Sequence, residues 1–370
     1  MEGSARHFHR GIFRPGSTGQ SSLSERVLVN GISYRDRVLR GWLTAAAISV
    51  TMTIAVGGAT RLTESGLSIT EWKPVTGVLP PMSAASWQRA YEQYLVIPEA
   101  RTVHAGITQA QFKTLYWWEW AHRLAGRLVG IVVALPFLWF WRRGWIASAL
   151  FPRLLSLPLL VGAQGALGWY MVRSGLADRT SVSPYRLVAH LSLALLIFGI
   201  AVWTAAALGR SGAGRLRAPG TVRAVVFVLT AGVVLTMMSG GFVAGLDAGR
   251  IFNEFPLMGG QLVPAGYSAG TGVRNLFENP IAAQFNHRVL AVLLALSVWS
   301  VWLVSERRWT ANLRRWMRLA AVVALLQVGL GIATLLLAAP AVLAAVHQLG
   351  AVALLTVMLV AGVDAVDARI

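Results

Sequence analysis

The chain of 370 residues contains no cysteine. That excludes disulfides, thiolate metal sites and iron–sulfur clusters, and leaves histidine as the side chain best suited to a transition metal. Charge is scarce too: 13% of the residues are Asp, Glu, Lys or Arg, well below the share in a soluble domain. Acidic residues are the scarcer kind, 15 against 33 basic ones, for a formal net charge of +18. A balance this basic first suggests nucleic acid. The placement of the charges argues otherwise, because the arginines lie in short segments between apolar runs and there is no basic stripe with interleaved aromatics. Nucleic acid is not an expected partner; a lipid membrane is.

Apolar sequence is plentiful, with 55% of the chain hydrophobic. Eight stretches are long enough to cross or nearly cross a bilayer: 41–60, 120–141, 154–172, 187–208, 222–245, 286–304, 319–339 and 341–363. The first begins too late for a signal peptide, so it is expected to stay as a helix. Segment 1–40 is rich in arginine, with only Glu2, Glu25 and Asp36 as acids. By the positive-inside rule it faces the cytoplasm, although the same composition resembles an organellar transit peptide. Arg142, Arg143 and Arg153 fall on that side, as do Arg210, Arg215, Arg217 and Arg223, and then Arg307, Arg308, Arg314, Arg315 and Arg318. In 61–115 the basic Arg61, Lys73, Arg89, Arg101 and Lys113 are balanced by Glu64, Glu71, Glu92 and Glu99. The expected fold is an all-α integral membrane protein with both termini cytoplasmic. Its long loops, 61–115 and 246–283, lie outside, which in a bacterial inner membrane means the periplasm.

The second half echoes the first. EWAHRLAGRLVG (119–130) aligns with QFNHRVLAVLLA (284–295), GAQGALG (162–168) with LLQVGLG (325–331), and YRLVAHLSLALL (185–196) with VLAAVHQLGAVALL (342–355). Each repeat has four helices, with histidine on its second and fourth. Four is even, so the halves share one orientation about an axis along the membrane normal. The expected organisation is a tail at 1–40, a four-helix bundle at 41–210, a cytoplasmic linker at 211–218 and a pseudo-symmetric four-helix bundle at 219–370.

His122, His190, His287 and His347 each fall in the outer third of a helix, where an ionisable side chain is costly and usually functional. A lone histidine there would more simply bond a neighbouring helix; two matched pairs argue for more. Paired imidazoles from separate helices suit the two axial positions of a haem iron. His7, His9 and His104 read as solvated loop residues. Arg123 and Arg288 each follow a histidine, and Arg127 lies one turn beyond Arg123. They are either forks for haem propionates or side chains reaching to the interface. Arg127 is too deep to reach out easily, so it calls for an anionic partner or a water-filled pocket. Glu119 stands at i−3 from His122, whereas Gln284 holds the matching place. The two sites are therefore unlike: only the His122/His190 site has an acid–base group. An ion pair of Glu119 with Arg123 at i+4 is the simpler reading of that acid. Gly-Gly pairs open both outside loops, in GGATRLTESGLSITEWKPVTGVLPP (57–81) and in SGGFVAGLDAGRIFNEFPLMGGQLVPAGY (239–267), and permit close backbone approach or positive φ.

These segments, with NEFPLMGGQLVP (253–264), QFNHR (284–288) and VHQLGA (346–351), give the chain a resemblance to the haem A synthases, most of all their cysteine-free class. The resemblance implies two four-helix bundles and oxidation of the C8 methyl of haem O to a formyl group, giving haem A for cytochrome oxidase. It implies haem O between His122 and His190, a resident haem b on His287 and His347, and Glu119 as the essential acid. A haem O synthase would deliver the substrate and an unidentified acceptor would take the electrons; a homo-oligomer is left open. The chemistry would be successive hydroxylations and loss of water. Glu119 would stabilise a carbocation-like intermediate, orient water or act as general base. The residues leave open a dihaem b-type electron-transfer cytochrome or quinone oxidoreductase, which needs no Glu119, and a transporter.

Overall fold

A computed structural model describes residues 33–178, 180–210 and 217–366. The predicted tail falls almost wholly outside the described residues, as do 211–216 of the predicted linker. The described residues form helices and turns with no strand beyond a single isolated bridge, Met258 to Gln261. Among them, eight helices are long and apolar enough to cross a membrane. They are α1 (Tyr34–Leu62), α2 (Gln109–Arg142), α3 (Phe151–Asp178), α4 (Pro184–Leu208), α5 (Gly220–Gly245), α6 (Pro280–Arg308), α7 (Ala311–Leu336) and α8 (Ala341–Val366).

Each helix takes in its predicted apolar stretch, apart from the last residues of the seventh, and most run past it. The largest departure is α2, which starts at Gln109 rather than near 120. Its first turn is set by a capping box: the Thr108 hydroxyl accepts from the Gln111 N–H, and the Gln111 side chain reaches back to Thr108. Helix α7 begins at Ala311 rather than 319, so Arg314, Arg315 and Arg318 lie in its first turns and not in a loop. It stops at Leu336 because Ala338 and Ala339 turn to positive φ. The capping box, invisible to a hydropathy window, decides where α2 begins.

In the first half, α1 packs on α2 and α4, and α3 on α2 and α4; in the second, α5 packs on α6 and α8, and α7 on α6 and α8. The halves meet where α1 and α4 lie against α5 and α8. One apolar cluster runs through both halves and stops short of one end of the helices: it takes in Leu39, Leu43 and Ile54 of α1, Val129 and Val133 of α2, Leu154 and Leu157 of α3, Met317 of α7 and Met358 of α8. Large apolar side chains such as Ile48, Leu135, Leu159, Leu293, Leu303 and Leu326 point outward, as a surface facing lipid rather than water requires. At the end the cluster does not reach, the segment after α1 folds into a cap of its own. It holds the helices Ala84–Leu95 and Pro98–Thr102. Tyr94, Ile97, Phe112 and Tyr116 pack there against Leu67.

Candidate functional site

The four predicted histidines all lie at the capped end, beyond the limit of the apolar core. Each is placed in the same way, by a glycine on the helix beside it. A Cβ built on Gly57 of α1 would come within 2.7 Å of His122 Cε1. The corresponding distances are 3.1 Å from Gly168 of α3 to His190, 3.1 Å from Gly240 of α5 to His287, and 3.0 Å from Gly331 of α7 to His347. At Gly57 a Cβ would force the ring to shift, and at the other three it would fit only if the ring gave by a few tenths of an ångström. The fourth helix of each half is held in register one turn below: Gln164 Nε2 donates to the His190 carbonyl (3.0 Å) and Gln327 Nε2 to the His347 carbonyl (2.7 Å).

The rings pair within each half, His122 acting electrostatically on His190 and His347 on His287. The Nδ1 atoms of His122, His190 and His347 are buried without a hydrogen-bond partner. His287 differs, because its Nδ1 lies 2.8 Å from Ser239 Oγ. The Ser239 hydroxyl already donates to the Thr236 carbonyl (2.8 Å), so its oxygen accepts from Nδ1–H. That leaves Nε2 of His287 unprotonated, the form a metal needs. No hydrogen bond is made by any Nε2 of the four among the described residues. Paired imidazoles with free Nε2 atoms, held at a level where the apolar core gives out, fit a planar macrocycle between two axial ligands. No group of three or more His, Asp or Glu suited to a bare metal ion occurs among the described residues.

Glu119 and Arg123 face the loop that follows α1. Glu119 is 2% exposed and accepts four hydrogen bonds: from Ser68 Oγ (2.8 Å), Ile69 N–H (2.7 Å), and Arg123 Nε (2.9 Å) and Nη2 (2.6 Å). The expected i+4 ion pair with Arg123 is present. Arg123 also donates to the carbonyls of Ile69 (2.7 Å) and Glu71 (3.0 Å). The second half repeats the clamp: Arg288 donates to the carbonyls of Phe252 (2.8 Å) and Glu254 (2.8 Å). Gln284, 3% exposed, reverses the sense of its twin by donating from Nε2 to the Phe252 carbonyl (3.0 Å). In one half the side chain accepts from the loop backbone, and in the other it donates to it.

Arg127 reaches the carbonyls of Lys73 and Pro74 (3.0 Å each) and leaves Nη1 buried without a partner. With Arg123, Lys73 and Arg89 it lines a cavity of about 470 Å³ under the loop, in which Glu71 is the acid. A neighbouring space of about 270 Å³ shares Arg123 and Glu71 and extends to Trp72 and Trp169. His104, read from sequence as a solvated loop residue, is instead bonded to the fully buried Tyr94. The glycine cradles, the glutamine pins and the Ser239 hydroxyl were not singled out as site residues from sequence. Their signal was there, in the GAQGALG and LLQVGLG repeats and in the paired glycines.

Fold and site together define a polytopic membrane protein with two histidine-paired sockets in one chain. The chain matches the family described as cytochrome oxidase assembly protein, COX15-CtaA, over residues 40–359, and it belongs to that family. It is 48% identical over 328 residues to the heme A synthase of Paracoccus denitrificans, covering 87% of this chain and 86% of that one. It is 45% identical over 327 residues to the heme A synthase of Parvibaculum lavamentivorans, covering 87% and 94%. To that of Azorhizobium caulinodans it is 46% identical over 331 residues, covering 89% and 94%.

Proposed function

We propose that the chain is a haem A synthase of a bacterial inner membrane, oxidising the C8 methyl of haem O to a formyl group with its sites toward the periplasm. His122 and His190 hold the substrate. His287 and His347 hold a resident haem b, which when bound supplies one-electron redox chemistry. The observation that carries the division of labour is the reversal at Glu119 and Gln284. Only the first half has a carboxylate beside its histidine pair, and only there can a negative charge stabilise a positive centre or order a water. The four donors on Glu119 fix its position, which favours such a role over that of a base that swings to its proton. Ser239 supports the same division. It bonds the His287 ring through Nδ1, while Val56, which precedes Gly57 in the first half, has no hydroxyl to offer His122.

Arg127, with its free Nη1, Lys73 and Arg89 give the cavity beside Glu119 a surplus of positive charge suited to carboxylates such as propionates. The test is expression beside a haem O-producing synthase, followed by haem extraction. The native chain is expected to yield haem A, and Glu119→Gln to lose it by about a hundredfold or more while keeping both haem-binding spectra. Haem A at the native rate from Glu119→Gln would remove that residue from the reaction. A dihaem b-type electron-transfer cytochrome is the second reading. It is favoured by the near-identical glycine cradles of the two halves, and it predicts no haem A from any variant.

A further inference from the structure

With Glu119 tied to four donors, the protons that leave the methyl carbon need another carrier. Two of its three C–H bonds break on the way to a formyl group, in a pocket at the end of a membrane-embedded bundle. We infer that Glu99, Tyr94, His104 and Glu64 form a proton-conducting chain between the Glu119 site and the solvent on the loop side. This inference rests on the proposed reaction for its purpose, but on the cap's geometry for its existence.

Glu99 lies on the short helix Pro98–Thr102, 4% exposed, with Oε2 buried and unpartnered. An acid so placed, without an arginine or lysine bonded to it, does nothing for the packing of the cap. Its carboxyl stands beside the Tyr94 hydroxyl. That hydroxyl is 2.5 Å from His104 Nδ1. His104 Nε2 is in turn 3.8 Å from Glu64 Oε2, within ion-pair range, and the Glu64 side chain is 32% exposed. On the inner side, Glu99 lies within electrostatic reach of Glu119, whose Oε2 accepts from the buried Ser68 hydroxyl (2.8 Å).

Protonation states suit the relay. Burial, then the charges of Glu119 and Glu64, push the Glu99 carboxyl up to about 8, with Arg61 and Tyr94 acting the other way. Glu99 is thus neutral below about pH 8 and has a proton to pass on. Burial and Glu99 raise Tyr94, so it stays a hydroxyl. Burial lowers His104 against the pull of Glu64, which leaves a neutral imidazole that accepts on one nitrogen and donates on the other. From α3, which packs on the Pro98–Thr102 helix, Arg173 is turned onto the Trp169 ring, 5.2 Å from its centre.

The experiment uses the full chain in membranes, with Glu99→Gln, Tyr94→Phe and His104→Gln. In the native protein the rate of haem A formation is expected to fall as pH rises through about 8, where Glu99 loses its proton. Glu99→Gln should keep haem binding, lose about tenfold or more in rate, and lose the alkaline limb. Native rate and pH profile in Glu99→Gln would overturn the relay. A second arm does not depend on activity. The infrared stretch of a protonated carboxyl is expected in the native protein, absent from Glu99→Gln, and its exchange in D2O about tenfold slower in Tyr94→Phe and His104→Gln. A missing band, or exchange unchanged by both variants, would also overturn it. A native chain that makes no haem A would defeat the proposed function alone, leaving the infrared arm to decide the relay.

Discussion

Four glycines set the positions of the four histidine rings, and they do so by what they lack. The closest contact, at Gly57, leaves less room than any real Cβ occupies. Gly57→Ala must therefore push the His122 ring out of line. The expected outcome is loss of haem from the His122/His190 site with the other site intact, and the reverse for Gly240→Ala, read by haem extraction and the bis-histidine spectrum. Retention of both haems in both variants would mean that the cradles do not position ligands. The same scale explains why Glu119 and Gln284 are not interchangeable. Each satisfies a loop backbone group of opposite polarity, Ile69 N–H in one case and the Phe252 carbonyl in the other. An exchange at either position leaves a buried group facing its own kind.

At the scale of the element, the decisive piece is α2. It runs 34 residues from Gln109 to Arg142, about 51 Å, longer than a bilayer needs. The extra turns carry Phe112 and Tyr116 into the cap, so the loop that Arg123 and Arg127 clamp is a packed layer. Phe112 is fully buried there, between Tyr91, Tyr94 and Tyr116. Phe112→Ala is expected to cost the cap about 3–5 kcal/mol, seen as a lower melting temperature in detergent and faster proteolysis between 63 and 108. An unchanged melting temperature would mean that the cap contributes nothing to stability.

For the whole molecule, the two halves are joined by small residues and reciprocal charge. Arg61 at the end of α1 pairs with Asp247 after α5 (2.5 Å), and Arg250 approaches Glu64 after α1 (3.9 Å). Between them, Gly245 leaves room for Pro184: a Cβ there would fall 2.9 Å from the Pro184 Cα, a backbone atom that cannot swing aside. Gly245→Val is expected to separate α4 from α5 and destabilise the purified protein. Gly41→Ala, with nothing within 4 Å, should leave it unchanged. Equal melting temperatures for the two variants would contradict this account of the interface.

Apolar runs were enough to read eight spans, and the internal echo was enough to single out four histidines that the fold brings to one end of the helices. These signals are local and periodic, and a bilayer enforces them at every position. Glu119 stood out because its repeat partner was an amide. The start of α2, the shared glycine cradles, the anchoring of His287 by Ser239 and the burial of Glu99 and His104 were not legible in that way. Each depends on which backbone comes within a few ångströms of a side chain distant in sequence, and only helix packing decides that. Glu99 in particular is one of four acids in a balanced outer loop until the cap folds around it and takes its water away.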